Sequence, residues 1–547
     1  MKIIYPAFAL FALACFALSP QARAVCQDAC LTNSNTVQGE DALFSLTSGI
    51  QNTAMGFQAL FGDTTGDNNT AVGHEALLNN ISGNGNTAIG VVALQATTGS
   101  FNTALGLNAM VNNTTGSNNV ATGGAALAGN TTGGDNTGVG GEALGNMTAG
   151  NFNTAIGRFA LDFNQGNYTT GVGSYALFNN NVDNSTAVGA YALYSNTSGS
   201  DNTATGFVAL TSNTTGFDNT AAGSQALMSN TAGPDNTATG FRALSVNTTG
   251  GSNTAIGSQS LTSNTTGGSN TATGFNALLS NTGDDNTATG RSALENNTIG
   301  GGNVAVGYFA MSINTEGGFN TAMGFGALSS LTSGVVNIAI GSVSGDLLTT
   351  GSANIDIGNE GVAGDDHTIR IGGDIGAGPQ TRAFIAGIRG VPISGGVPVG
   401  VNSSGQLGVK PSSARYKEAI QPMDKASEAI LALKPVTFRY KKELDPKGTE
   451  QFGLVAEEVA RVKPGLVVSD EQGKPFSVRY EEVNAMLLNE FLKEHRKVQE
   501  LEANDAEQQK EIKVLMATVK EQAAQIRKVN DKVEMNRSTQ QMVVNDR

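Results

Sequence analysis

The chain has 547 residues, of which 71 are glycine, none is tryptophan, 6% are aromatic and 14% are charged, so it is poor in the bulky side chains that fill a large compact enzyme core. A formal charge of -14, with no lysine between Lys2 and Lys410, excludes the clustered cations that nucleic-acid binding requires. The length and the uneven residue usage predict several regions rather than one domain.

The first region, residues 1–24, reads as an export signal. Lys2, an apolar run from Ile3 to Leu18 and the small-x-small sequence Ala22-Arg23-Ala24 place cleavage after Ala24. A lipoprotein alternative uses Cys15, but Ala12 stands where a leucine is usual. No other run approaches the ~18 apolar residues of a membrane span. The mature chain is therefore expected to carry no transmembrane anchor and to reside outside the cell or on its surface, with the periplasm as the alternative. Cys26 and Cys30 remain after processing, in a cap segment over residues 25–50. In an oxidising compartment they are expected to form a disulfide that pins the start of the repeat region. Metal binding is the competing reading, but two cysteines without a nearby histidine give too few ligands for zinc. No cofactor and no metal are expected, and His74, His367 and His495 lie too far apart in the chain to support a histidine-based site.

Residues 51–345 repeat one phrase at a period of roughly 17 residues. It reads Asn52-Thr-Ala-Met-Gly56-Phe-Gln-Ala-Leu60, then Asn69-Thr-Ala-Val-Gly73-His-Glu-Ala-Leu77, and recurs to about Gly358, later copies including Asn320-Thr-Ala-Met-Gly324. Between copies stands an Asn-Thr-Thr-Gly turn, as at Asn113 to Gly116. Such units are too short for helical pairs and too rich in Gly, Thr and Asn for helix, so they predict short strands joined by turns. Gly suits a corner of positive φ, and Ala, the Val/Ile/Met/Thr position and the later Ala-Leu pair are expected to face inward as a thin apolar stripe. Stacked units bring like residues together, so Asn side chains form ladders. The apolar area of one unit falls short of the cost of ordering it, which points to several chains sharing an interior; a single-chain solenoid is the alternative.

The phrase Asn-Thr-Ala-x-Gly-x-x-Ala-Leu resembles the head repeat of trimeric autotransporter adhesins. That resemblance implies a left-handed parallel β-roll of three chains, hence a homotrimer, with a surface glycan or matrix ligand. The membrane barrel that anchors those adhesins has no counterpart expected here, so neither their export route nor their target carries over.

Residues 346–411 read as a β-rich neck, with strand-like stretches at His367 to Ile371, Ala383 to Ala386 and Val397 to Val401, and a turn at Ser403-Ser404-Gly405. After Pro411 lysine, glutamate and arginine become common, and an α+β domain over residues 412–483 is predicted. Within it Asp424 caps an amphipathic helix to Leu433 with Ile430 and Leu433 inward, and Val436 to Tyr440 forms a strand. From 484 to 536 a seven-residue seam runs through Phe491, Val498, Ile512, Val519, Ile526 and Val533 with Leu487, Leu501, Leu515 and Val529. It predicts a coiled-coil helix whose core usage permits a trimer, the alternative being a helix packed on its own domain. Residues 537–547 form a polar tail.

Three ordered motifs, Ser412-Ser-Ala-Arg-Tyr-Lys417-Glu-Ala-Ile420, Phe452-Gly-Leu-Val-Ala-Glu-Glu-Val459 and Tyr480-Glu-Glu-Val, resemble the endosialidase-type intramolecular chaperone of phage tail spikes. The resemblance implies a domain that trimerises the fibre, templates its folding and severs itself through a Ser-Lys dyad, with Ser412 as nucleophile and Lys417 as base. A serine hydroxyl needs a base, and lysine serves when burial or nearby positive charge, such as Arg415, lowers its pKa. A spacing of five places the pair on different faces of a helix or strand, so a turn or a neighbouring chain must bring them together. The competing reading is that Ser412 or Ser413 caps a helix starting near Ala414.

The fold class expected is thus mainly β: a solenoid shaft, trimeric, with a C-terminal α+β chaperone domain and a coiled-coil helix. The function expected is an exported, adhesive surface fibre with a single-turnover serine autopeptidase. The alternatives are a carbohydrate-active tail-spike-like fibre, which needs paired carboxylates on one face, and an ice- or mineral-binding array, which needs threonine columns.

Overall fold

The computed structural model describes residues 29–544 except 374–377, 379, 381–382, 384, 386–396, 403–404 and 471, with side chains described over 33–539. The export signal and Cys26 lie outside the described residues, as do the side chain of Cys30, part of the Ala383 to Ala386 stretch and Ser403-Ser404. The chain divides into two units, residues 1–386 and 387–547.

The first unit is a β-solenoid. Asn35–Gln38 starts a parallel stack on which Thr53–Met55 lies with Thr36 opposite Thr53, then Thr70–Val72 with Thr53 opposite Thr70, and so on to Ile369–Ile371. Among the described residues this is one 22-stranded sheet, with Ala29–Leu31 antiparallel to the first coil. The coiling extends beyond residues 51–345 at both ends.

From Thr53–Met55 onward each strand of the stack is three residues long because glycine turns the chain immediately after it. Gly73 takes φ +139°, and a Cβ there would lie 2.4 Å from the carbonyl oxygen of Gly90 on the next coil. No other residue fits that corner. The leucine of each phrase adopts a left-handed backbone, with φ 53° at Leu60 and 54° at Leu77, which costs a non-glycine residue about 1–2 kcal/mol. Leu60 N–H donates to the carbonyl of Ala76 at 3.0 Å, and the side chain is wholly buried, a gain of about 2 kcal/mol from burial alone. Stacking thus stabilises a conformation the isolated coil would avoid.

The interior corrects the sequence expectation at one position. Ala54, Ala59 and Leu60 are fully buried, but Met55 is 39% exposed and Ile89 40%. Strand alternation explains this: with Ala inward, the residues on either side of it point out. The Val/Ile/Met/Thr position therefore forms an outward column beside the threonines. A second difference concerns closure. Alanines and leucines reach zero exposure within one chain, so the interior assigned to several chains is completed by a single coil stack.

Two asparagine ladders fill the corners. In one, Asn69 N–H donates to Asn52 Oδ1 at 2.8 Å, and Asn69 Nδ2 donates to the Gly83 carbonyl at 2.8 Å. In the other, Asn130 Nδ2 donates to Asn113 Oδ1 at 2.8 Å while Asn130 Oδ1 accepts from Gly133 N–H at 3.1 Å. Both donor and acceptor sides of Asn69 and Asn130 are used, which offsets the cost of burying them, whereas Asn264 and Asn314 in the second ladder leave Oδ1 without a partner.

The second unit has a hairpin of Gly400–Val401 with Leu407–Gly408, a pair of Val436–Phe438 with Gln451–Gly453, and a pair of Val467–Ser469 with Pro475–Val478. Its helices are α1 (Ala456–Val462) and α2 (Tyr480–Val544). Asp424–Ala432 is a 3₁₀ helix whose cap position is Met423, so Asp424 is its first residue rather than its cap. Ile430 and Leu433 pack inward as expected, against a small core of Val459, Leu466, Val478 and Met486. Helix α2 begins four residues before Asn484 and continues past 536. Its seam residues Phe491, Leu501, Ile512 and Ile526 are exposed in the single chain.

Candidate autoproteolytic site

Ser413, with an extended backbone, leads from Pro411 and Ser412 into a single 3₁₀ turn, Ala414–Tyr416. Lys417 N–H donates back to the Ala414 carbonyl at 3.0 Å and closes that turn. The turn does what a helix or strand of that spacing could not: Lys417 Nζ reaches Ser412 Oγ at 3.3 Å. Ser413 occupies the cap position but its side chain makes no capping bond. The capping alternative thus has the predicted turn without the predicted hydrogen bond, and Ser412 is engaged by Lys417 instead.

The pair is solvent-exposed in the single chain. As an ammonium, Lys417 donates to Ser412; for base catalysis the proton must travel the other way, which requires a neutral amine. The Arg415 guanidinium lies 4.8 Å from the centre of the Tyr416 ring and so adds positive charge in the segment between the two dyad residues.

A second serine approaches a lysine in the same unit, and sequence reasoning missed it. Ser427 is fully buried and its hydroxyl hydrogen-bonds the Glu490 carboxylate on α2. It accepts from Asn489 Nδ2 at 2.7 Å, and Lys493 Nζ stands 3.4 Å away. Glu490 pairs with Lys493 at 2.7 Å and holds the lysine above its ordinary pKa. An ammonium held that firmly is a poor base, and the Ser427 oxygen is fully occupied. This cluster therefore fastens the 3₁₀ helix to α2. The sequence carried no signal for it, because the partners are more than sixty residues apart and each is unremarkable alone.

Residues 412–468 match the family described as chaperone of endosialidase. No curated protein and no solved structure matches the chain. The matched segment starts at Ser412 itself and ends within the strand Val467–Ser469. A chaperone-type, peptidase-like domain therefore follows a β-solenoid in this chain, as two of the three sequence motifs implied. The third motif, at Tyr480, opens α2 beyond the match, and its ring is tied to the domain through Leu454 N–H, which donates to the Tyr480 hydroxyl at 3.0 Å.

Proposed function

We propose that this chain is an exported surface fibre of three copies, adhesive along its solenoid, and assembled by the C-terminal domain, which then cuts itself off at the Ser412–Lys417 dyad. The observation that carries the reading is the 3.3 Å approach of Lys417 to Ser412 at the first residues of the chaperone match. In the reaction, Ser412 Oγ attacks a peptide carbonyl, Lys417 takes the hydroxyl proton and delivers it to the departing amide nitrogen, and water hydrolyses the ester.

Two surfaces left open in the single chain support the trimer. One is the outward strand column, where Ile156 is 43% exposed and Met323 45%; the other is the α2 seam, whose heptad repeat needs partner helices to be covered. Exposure of the dyad fits the same reading. A neighbouring copy would bury Lys417 and lower its pKa, so cutting would await correct assembly.

The test is expression of the full chain beside its Ser412→Ala variant, with both products weighed under denaturing conditions. Two fragments from the parent and one intact chain from the variant support the reading. An intact parent chain under conditions that yield folded fibre defeats it.

A further inference from the structure

Between the first coil and Asp365 the shaft has three arginines, Arg158, Arg242 and Arg291, and no lysine. All three occupy the segment that follows the corner glycine, so they share one side of the solenoid; the carbonyls of Arg158 and Arg291 accept from Tyr175 and Phe309 one coil further on. Each guanidinium is held by rings. Arg158 stands 4.6 Å from the Phe159 centroid and Arg242 stands 5.7 Å from that of Phe241, while Arg291 sits between Phe275 and Tyr308 at 5.6 and 5.7 Å. Among the described residues none of the three forms an ion pair, in a chain with 46 acidic residues. By contrast Arg370, at the end of the stack, is paired with Asp365.

The same side carries an aromatic ladder. Phe159, Tyr175 and Tyr191 stack on successive coils with centroids 5.0 and 5.1 Å apart, and Phe178 stacks on Tyr194 at 5.2 Å. Because the rings face one another along the stack, their edges face outward. Ring edges carry partial positive charge and the tyrosines add hydroxyls. Eight coil steps separate the strand beside Arg158, Thr154–Ile156, from the strand beside Arg291, Thr287–Thr289, about 38 Å at the ~4.8 Å strand spacing. That reach fits a polymer. Three cations over such a length are too sparse for nucleic acid, whose charge density calls for clustered lysine and arginine.

We propose that this arginine and aromatic side of the solenoid binds an acidic polysaccharide, carboxylates pairing with Arg158, Arg242 and Arg291 and sugar hydroxyls meeting the ring edges and tyrosine hydroxyls. The assignment rests on the adhesive reading and names its ligand class. Arginine is suited to this role because its planar fork grips a carboxylate by two hydrogen bonds while its face stays on the ring.

The experiment titrates the full chain with polygalacturonate and, separately, with neutral dextran, at low and at physiological salt. It is repeated with the Arg158→Ala/Arg242→Ala/Arg291→Ala variant, and chain number is followed by sedimentation. The proposal expects binding to polygalacturonate and not dextran, weakening with salt, and reduced at least about tenfold in the variant. Equal binding by the variant, or no binding by the parent, overturns it. Attachment of the parent to dextran or to a protein-coated surface alone overturns the ligand class while leaving adhesion standing. Weaker binding by a variant whose chain number has also changed counts against the proposal, because the three side chains alone then do not carry it.

Discussion

Asp63 lies directly beneath Asn80 in the interior ladder, its Oδ1 accepting from Asn80 Nδ2 at 3.4 Å and from Gly66 N–H at 2.9 Å, while its Oδ2 has no partner. Every other polar member of that column is uncharged. Burial pushes the Asp63 carboxyl up to about 7, with Asp67 adding to the effect. The folded chain therefore holds a proton on Asp63 that the unfolded chain has released between about pH 4 and 7. Stability from this group is greatest below that window and falls as pH rises through it. Asp162 and Asp356, both raised to about 6 by burial, act in the same sense. Thermal melts of the parent should drop between about pH 4 and 7, and Asp63→Asn should flatten the drop and raise stability at pH 8 by on the order of 1–3 kcal/mol. A parent melt that rises with pH would contradict this.

Within the same column, Asn230 donates through Nδ2 to Asn213 Oδ1 and to the Gly233 carbonyl, both at 2.9 Å. Asn230→Ala leaves those acceptors and a cavity behind. The expected loss is about 2–4 kcal/mol, measured by chemical denaturation, and a neutral result would show that the ladder adds nothing beyond shape.

At the corner, Gly240 takes φ +136°, and a Cβ would stand 2.5 Å from the Gly257 carbonyl oxygen. Gly240→Ala should break coil stacking locally and open residues around it to proteolysis, at a cost of several kcal/mol in total from backbone strain and the clash. Gly141, which has nothing within 4 Å of its would-be Cβ, is the control: Gly141→Ala should leave the protease pattern unchanged.

In the C-terminal unit, Ser427→Ala should loosen the attachment of the 3₁₀ helix to α2, because Glu490 and Lys493 lose a buried partner. The expected destabilisation is about 1–3 kcal/mol. Cleavage should persist at permissive temperature, since the cutting role is assigned to Ser412. Loss of cleavage in a Ser427→Ala chain that remains folded would move that role to Ser427.

Much of the fold was readable in the residues, and the exceptions have physical causes. The phrase period predicted coils, and the fixed Gly predicted corners, because an Ala-sized side chain has nowhere to go there. Apolar character alone points Met55 and its equivalents inward, whereas Ala54 fixes which side of a three-residue strand faces in. Apolar area alone does not predict the closed interior, because asparagines such as Asn52 and Asn80 fill the corners and satisfy the backbone. Spacing argued against contact between Ser412 and Lys417, and only the turn at Ala414–Tyr416 brings them together. Ser427 was invisible, since its environment comes from α2 more than sixty residues away.

If three chains assemble before the domain beginning at Ser412 cuts the fibre, native mass spectrometry of the parent and of Ser412→Ala, each followed by denaturation, will show it. Both should weigh as trimers, with a break beside Ser412 in every parent chain and none in the variant. Parent chains that are cut while monomeric, or that assemble and stay whole, would contradict that order of events.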